Sequence, residues 1–479
     1  MSLKKQTFSG LIWTFTDTIF LKGSSFVAQL VLARLLGPKE FGLIGMIAVF
    51  VAIGASLVDS GLSSSLIRTK DADDKDFCTV FFTNLTISIL VYIIVFIAAP
   101  FIAKFYDQSI LVPIIRTYCL SFIVSSFSAI QIAIVIKNMQ FKKFMLLNIP
   151  GTIIGIITGI VLGYMGFGVW SIVWMYLSTQ ISQSIMLWIF SKWKPSLNFS
   201  VERLNFHFHF GYKLMLSGLL NTTFDNIYNV VIGKFYPVQT LGYYERAYLF
   251  NQYPVATITG IVDKVTYPML ANIQDQKERI SLVYKKILQI AFFITAPLML
   301  GAAAIAKPLF LLVLGEQWLP AVPFFQILCI GSIFYPIHVF NINVLKVYGR
   351  SDLFLKLEIL KKLVIIFSVA VAFRFGIYGL VWSSVFTSFI ALIINTHYSS
   401  PMINYSIKAQ LLDMLPTFSI AFVTGLIMIG LLAFLTSASL LIQIILLGIT
   451  GFTFFILTNY FLKTAPCNYL LTFIKERKL

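Results

Sequence analysis

Long apolar runs recur along the whole chain and constrain its fold more than any other feature of the sequence. Of the 479 residues, 58% are hydrophobic and only 11% are charged. A membrane-spanning helix needs about 20 predominantly apolar residues, and charged or turn residues divide the chain into fourteen such runs. The runs are too long and too uniformly apolar for the alternating strands of a transmembrane barrel. The sequence therefore predicts an all-α polytopic membrane protein with about 14 transmembrane helices.

The charges between these runs predict the orientation of the chain. An even number of spans puts both termini on one side. With both in the cytoplasm, the cytoplasmic segments together with the adjoining span ends hold 27 Lys and Arg, the outer ones hold 8, and Lys22 lies inside the first span. Basic residues accumulate in cytoplasmic loops, so the net charge of +17 reports topology and implies no nucleic-acid partner. The predicted spans are residues 10–33, 41–63, 78–99, 112–136, 145–165, 168–190, 212–233, 241–262, 287–306, 319–345, 355–373, 376–395, 412–435 and 439–462.

The segments between the spans are too short for a soluble catalytic domain. The chain has no GxxxxGK phosphate loop, and its four cysteines are far apart and lack metal-ligand spacing. His207 and His209 alternate with phenylalanines, which we interpret as an interfacial segment entering the seventh span rather than a metal site. We therefore expect no enzyme activity, no catalytic residue, no metal and no cofactor apart from a coupling H⁺ or Na⁺.

An internal repeat links the first two spans to the seventh and eighth. The first hairpin reads LARLLGPKEFGLIGMIAVF and the second reads VIGKFYPVQTLGYYERAYLF. Arg34 to Gly42 and Lys234 to Gly242 each cover eight residues, with a proline between them. Short outer turns favour glycine and proline in any case. Two related halves would predict a transporter with a binding site between them.

Four stretches resemble one family of bacterial membrane proteins. They are LARLLGPKEFGLIGMIAVF…VDSGLSSSLIR (32–68), NTTFDNIYNVVIGKFYPVQTLGYYERAYLFNQYP (221–254), VTYPMLANIQDQKERIS (265–281) and NINVLKVYGRSDLFLKLEILKKLV (341–364). They are similar to the Wzx-type polysaccharide flippases of the multidrug/oligosaccharidyl-lipid/polysaccharide exporter superfamily, in the branch of colanic acid and teichuronic acid exporters. The resemblance implies two six-helix bundles around a central cavity, plus two C-terminal helices.

The same resemblance implies a function and a cellular place. The substrate would be an undecaprenyl-diphosphate-linked sugar repeat unit, moved from the cytoplasmic to the outer leaflet of the bacterial inner membrane. Membrane lipids and the polysaccharide polymerase and export machinery would be the partners. The bundles would be 1–195 and 196–400, with 401–479 as the added helices and tail. The alternatives are a cation-coupled drug antiporter or a peptidoglycan-precursor flippase of the same superfamily, or a membrane enzyme such as a sugar-unit polymerase.

Ionisable residues inside membrane spans are rare and are functional candidates. Asp17 and Lys22 lie five residues apart in the first span. Lys22 is interpreted as a contact for the diphosphate, and the alternative is a simple charge partner for Asp17. Asp59 closes the second span and is a candidate gate. Asp17, Asp59 and Asp225 are the candidates for ion coupling.

The seventh span carries the most polar residues. Asn221, Asp225 and Asn229 follow each other at intervals of four, which predicts one polar helix face. A face of this kind binds sugars or a cation, or it holds helices together. Arg116 and Arg246 begin the fourth and eighth spans, and Arg246 stands among tyrosines. Both are candidates for the diphosphate, and an interfacial aromatic belt is the alternative.

Overall fold

The computed structural model describes residues 16, 20–21, 23–59 and 61–476, and the regular structure in this part is helical throughout. No strand occurs among these residues, which confirms the all-α prediction. Nine helical segments in the described part are long and apolar enough to cross a membrane. The chain is therefore a multi-pass membrane protein. One of these segments, Asp352–Ile403, contains the eleventh and twelfth predicted spans together. The count of fourteen and the layout in two six-helix bundles stay predictions.

The described helices are numbered here in chain order. They are α1 (Gly23–Leu35), α2 (Pro38–Asp59), α3 (Leu62–Arg68), α4 (Asp74–Tyr106), α5 (Leu111–Tyr118), α6 (Leu120–Lys137), α7 (Phe141–Tyr164), α8 (Val169–Phe190), α9 (Val201–Asp225), α10 (Ile227–Phe235), α11 (Val238–Asn272), α12 (Lys277–Ala304), α13 (Ala306–Val313), α14 (Ala321–Ser332), α15 (Tyr335–Val347), α16 (Ser351–Ala372), α17 (Gly376–Ile403), α18 (Ile407–Phe434), α19 (Leu440–Phe461) and α20 (Ala465–Glu476).

The helices group into two compact units, Met1–Gly242 and Tyr243–Leu479. Helices α9 and α10, which cover the seventh predicted span, pack on α2 and other helices of the first unit. Neither α9, α10 nor α11 is among the nine apolar segments, because the seventh and eighth predicted spans are the most polar. The division at residues 195 and 400 stays a prediction.

Three regularly spaced glycines on α7 allow close contact with α8. Gly151, Gly155 and Gly159 recur every four residues and therefore lie on one face. A Cβ added at Gly155 would overlap the Thr179 side chain and lie 2.8 Å from the Met175 carbonyl oxygen of α8. Small residues at such intervals let two membrane helices approach closely, where dispersion replaces the missing hydrophobic driving force.

A buried polar network joins three helices of the second unit. The Tyr284 hydroxyl donates to Asn341 Oδ1 at 2.8 Å, and the Ser399 hydroxyl donates to the same oxygen at 2.6 Å. Asn341 Nδ2 donates to the Thr396 hydroxyl at 3.1 Å. All four side chains are buried, so the network satisfies polar groups that would otherwise be costly in an apolar interior. It ties α12, α15 and α17 together.

An ion pair ties the same unit at a second place. Lys285 Nζ on α12 lies 2.7 Å from Asp413 Oδ2 on α18. The Tyr405 hydroxyl donates to the same carboxylate oxygen at 2.5 Å. The lysine and the tyrosine together compensate a carboxylate that is only one-quarter exposed.

Candidate functional site

The seventh predicted span breaks in its most polar stretch. Helix α9 ends at Asp225, Asn226 has φ −101° and ψ 7°, and α10 begins at Ile227. Asn226 Nδ2 donates to the Thr222 carbonyl at 2.8 Å, so the amide side chain satisfies a carbonyl near the break. Helices interrupted in this way occur in transporters at binding sites, because the free helix ends offer oriented backbone dipoles. The break is therefore the leading candidate site.

The polar residues predicted for this span lie on both sides of the break. Asn221 and Asp225 are exposed on the last turns of α9, and Asn229 is buried on α10 with 9% of its surface exposed. The predicted helix face is thus interrupted at Asn226, between Asp225 and Asn229. Asn221 and Asp225 remain together, one turn apart. Their roles in binding stay predictions.

The two arginine candidates have different surroundings. Arg116 lies at the end of α5, where its guanidinium stands 4.0 Å from the Phe96 ring centroid and its Nε donates to the Phe96 carbonyl at 3.4 Å. Arg246 lies in the second unit with 7% of its surface exposed. Arg246, which was predicted to stand among tyrosines as a diphosphate contact, is therefore largely enclosed, and a buried arginine in a membrane protein needs compensation for its charge.

Of the ionisable candidates in the first two spans, the structure describes Asp59. Asp59 is exposed at the last residue of α2, as expected for a residue at the end of the second span. Asp17 and Lys22 lie outside the described residues. The phosphate and coupling roles of these three residues stay predictions. In the part of the chain that the structure describes, no cluster of three or more His, Cys, Asp or Glu side chains could hold a metal ion.

The two repeated hairpins meet within the first unit through a reciprocal contact. A Cβ added to Gly42 of α2 would overlap the Val238 carbonyl at the start of α11. A Cβ added to Gly242 of α11 would overlap the Pro38 carbonyl at the start of α2. The two hairpins are offset by 200 residues in the chain, so equivalent positions exchange roles across a local pseudo-twofold axis. Only glycine allows this approach at both positions. We name this contact the glycine seam.

An ion pair and a packed aromatic cluster lie beside the glycine seam. Lys234 Nζ on α10 lies 3.2 Å from Asp107 Oδ2, which follows α4. Tyr106 is buried at the end of α4 and contacts Phe50 edge to face at 6.3 Å between ring centroids. A Cβ added to Gly233 of α10 would lie 3.1 Å from the Tyr106 ring. Helix α10 and the first turn of α11 are thus closed against α2 and α4 at the end predicted to face outwards.

Sequence reasoning detected the repeat but missed the contact. The signal was the shared eight-residue spacing that ends in Gly42 and Gly242. Spacing within one hairpin carries no information about which part of the chain packs on it. The break at Asn226 was also missed, since the polar residues around it are compatible with an uninterrupted helix.

The chain matches one protein family and is similar to proteins of polysaccharide biosynthesis. The family described as "Polysaccharide biosynthesis protein" matches residues 31–323. Lipopolysaccharide biosynthesis protein WzxC of Escherichia coli (strain K12) is 24% identical over 444 residues, which cover 90% of each chain. Teichuronic acid biosynthesis protein TuaB of Bacillus subtilis (strain 168) is 25% identical over 360 residues, or 74% of this chain and 73% of TuaB.

One solved structure is similar over nearly its whole length. It is described as "Lipid II flippase MurJ, inward closed conformation" and has a TM-score of 0.73. The alignment covers 94% of this chain and 99% of that chain at 15% sequence identity. At this identity the likeness establishes a shared fold and carries no information on substrate.

Proposed function

This chain belongs to the family of polysaccharide biosynthesis proteins, and from that membership we propose that it is a flippase for lipid-linked oligosaccharides. The predicted resemblance to the polysaccharide exporters of the multidrug/oligosaccharidyl-lipid/polysaccharide superfamily is confirmed. The proposed substrate is an undecaprenyl-diphosphate-linked repeat unit. It moves from the cytoplasmic to the outer leaflet of the inner membrane for surface polysaccharide assembly, while both termini stay in the cytoplasm.

The physical task explains why a membrane protein is needed. The lipid tail of such a substrate can remain in the bilayer, but its diphosphate and sugars must pass a hydrocarbon layer about 30 Å thick. Isolated charge in hydrocarbon is very costly. A polar cavity that opens to one side at a time removes this cost without breaking a bond. No catalytic nucleophile is required.

One observation carries the proposal most directly: in a member of this family the helix breaks between α9 and α10, and Asn221 and Asp225 are exposed beside the break. Amide and carboxylate groups bind sugar hydroxyls through several hydrogen bonds each. We assign this pair to the sugars. Lys22, Arg116 and Arg246 are each a candidate contact for the diphosphate, because cationic side chains bind phosphate through charge-assisted hydrogen bonds.

The energy for transport is assigned to an ion gradient and to the removal of product. A proton or sodium gradient drives the cycle through one of Asp17, Asp59 and Asp225. Outer-face polymerisation of the delivered unit, by the polymerase and export machinery, removes product and supports the same direction of transport.

Deletion of the gene tests the proposal. We expect loss of the surface polysaccharide and accumulation of lipid-linked repeat units, both restored by the intact gene on a plasmid. Intact polysaccharide together with drug hypersensitivity would contradict the proposal and favour a drug antiporter. Lysis with accumulation of peptidoglycan precursors would favour a peptidoglycan-precursor flippase.

Complementation with variants tests the site. Asn221→Ala and Asp225→Asn should reduce polysaccharide export at least tenfold in protein shown to reach the membrane. Thr223→Ala is the matched control, since Thr223 is exposed on the same helix and its hydroxyl donates to the Leu219 carbonyl. Equal export by all three variants would remove the helix break from the site. Lys22→Ala with unchanged export would remove Lys22 from the diphosphate site.

A further inference from the structure

A fully buried polar cluster joins the start of α9 to α3 and α4. Its members are Ser65 of α3, Asp76 of α4 and His207 of α9, each with essentially no exposed surface. His207 Nε2 lies 3.1 Å from Asp76 Oδ1, and His207 Nδ1 lies 2.9 Å from Ser65 Oγ. These residues come from distant parts of the chain, so the contact forms only when α9 is docked. We name them the His207 cluster.

The neutral form of His207 satisfies every group in the cluster. Its Nε2–H donates to the Asp76 carboxylate, and its Nδ1 accepts from the Ser65 hydroxyl. The second oxygen of Asp76 accepts from the Asp73 backbone N–H at 3.0 Å. The Asp76 backbone N–H in turn donates to the Asp73 side chain at 2.9 Å. This reciprocal cap fixes Asp76 at the start of α4.

The surrounding charges are balanced only while His207 is neutral. Arg203 of α9 places Nε 3.6 Å from Asp76 Oδ1 and Nη2 3.8 Å from Asp73 Oδ2. Arg68 at the end of α3 faces the same site and stacks over the Phe210 ring at 4.1 Å from its centroid. Arg203 therefore pairs with both carboxylates, and Arg68 supplies a second positive charge that acts on His207. A proton on His207 adds an uncompensated positive charge at a buried position.

Protonation also disturbs the hydrogen bonds. A proton on Nδ1 converts that nitrogen from acceptor to donor, so the Ser65 hydroxyl must rotate and find another acceptor. Burial lowers the pKa of His207 below its usual value of about 6.5, and the Asp76 carboxylate opposes this only in part. The backbone hydrogen bond from Asp76 lowers the pKa of Asp73, which keeps that carboxylate ionised.

We propose that the His207 cluster is a proton-binding latch, which holds α9 on α3 and α4 while His207 is neutral and releases α9 when His207 takes up a proton. Docking brings α9 very close to the residue before α3: a Cβ added to Gly61 would lie 2.6 Å from the Gly211 carbonyl oxygen. Release therefore separates two backbones in contact. The latch lies towards the end of α9 that is opposite the break at Asn226.

The pH-dependent docking of α9 does not require the proposed transport function. Only an effect of the latch on export rests on that function. A docked His207 with a lowered pKa binds its proton less tightly than a solvated one. The contribution of neutral His207 to docking is therefore fully present above about pH 6.5 and is lost as the pH falls. One proton linked to release weakens docking by up to tenfold per pH unit between the free and docked pKa values of His207.

Amide hydrogen exchange on the intact protein in nanodiscs measures docking directly. After correction for the intrinsic pH dependence of exchange, the amides of residues 201–210 should lose protection up to tenfold per pH unit below about pH 6.5. His207→Gln should abolish this dependence, because glutamine is neutral and offers both a donor and an acceptor. His209→Gln is the matched control, since His209 is exposed two residues away, and it should keep the wild-type response.

The exchange rate of the His207 ring C2 hydrogen, measured by mass spectrometry in the wild type at several pH values, gives the pH at which His207 is half protonated. This value is independent of the amide measurement. Protonation of His207 should coincide with the loss of amide protection. Protection of residues 201–210 that is independent of pH in the wild type overturns the latch. So does a response that His209→Gln removes and His207→Gln keeps. These readouts involve no glycan, so normal polysaccharide in the deletion strain would refute the proposed function and leave the latch standing.

Discussion

Substitution of alanine for Gly42 should open the glycine seam. The added Cβ would overlap the Val238 carbonyl oxygen and lie 2.8 Å from both the Val238 carbonyl carbon and its Cγ1. Unstrained carbon contacts lie at roughly 3.5–4.0 Å, so α2 and α11 must separate by about 1 Å. The obstructing atoms are mainly backbone, which cannot turn away. Overpacking of this kind costs about 1–3 kcal/mol, which weakens the closed contact by roughly 5–150-fold.

Thiol labelling from outside the cell measures this opening. Leu241 is fully buried next to the glycine seam, and Leu241→Cys serves as the reporter in every protein compared. With Gly42 intact, a membrane-impermeant maleimide should react slowly. Gly42→Ala should raise the labelling rate at least fivefold. Gly260→Ala on α11 is the matched control, because no other heavy atom lies within 4 Å of its added Cβ.

Gly242→Ala should reproduce the effect, since its Cβ would overlap the Pro38 carbonyl in the same manner. The double variant should lose less free energy of the closed contact than the two single variants lose in sum, because one separation of α2 from α11 relieves both overlaps. Unchanged labelling in both single variants, in protein with normal thermal stability, would show that the contact has no role in closing this end.

The remaining predictions concern the stability of each unit. Gly155→Val should lower the thermal midpoint of the purified protein by several degrees, because it forces α7 from α8, while Gly448→Val on an open face of α19 should not. Asn341→Ala leaves three buried hydroxyls short of a partner and should cost about 1–3 kcal/mol of unfolding free energy, measured by denaturant titration. Lys285→Ala should destabilise the protein more than Lys286→Ala in the same titration, because Lys285 pairs with the partly buried Asp413 carboxylate.

The all-helical architecture was predictable because the physics of the bilayer leaves few options. A chain that must satisfy every backbone hydrogen bond in hydrocarbon folds into helices, and the apolar runs show where. The start of α4 illustrates the local rules: Asp73 and Asp76 form a cap whose spacing is visible in the sequence. Caps of this kind are local signals for the start of a helix.

Long-range contacts were not predictable in the same way. Nothing near His207 in the sequence indicates Ser65 or Asp76, and its alternation with phenylalanines favoured an interfacial interpretation. The structure instead buries His207 completely, because α9 turns this face towards α3 and α4. In the sequence, Gly42 and Gly242 are compatible with ordinary turn residues. Their requirement for glycine arises from the contact between the two hairpins. The partners of a residue come from tertiary packing, which a single sequence does not encode by spacing.

Reconstitution tests the central claim most directly. The purified chain is placed in liposomes that carry an undecaprenyl-diphosphate-linked glycan in both leaflets, and a glycosidase added outside digests the exposed glycan. A flippase predicts that digestion proceeds past the outer-leaflet fraction towards completion, and that Asp225→Asn slows this second phase. Digestion that stops at the outer-leaflet fraction, with the intact chain folded and inserted, would contradict the account.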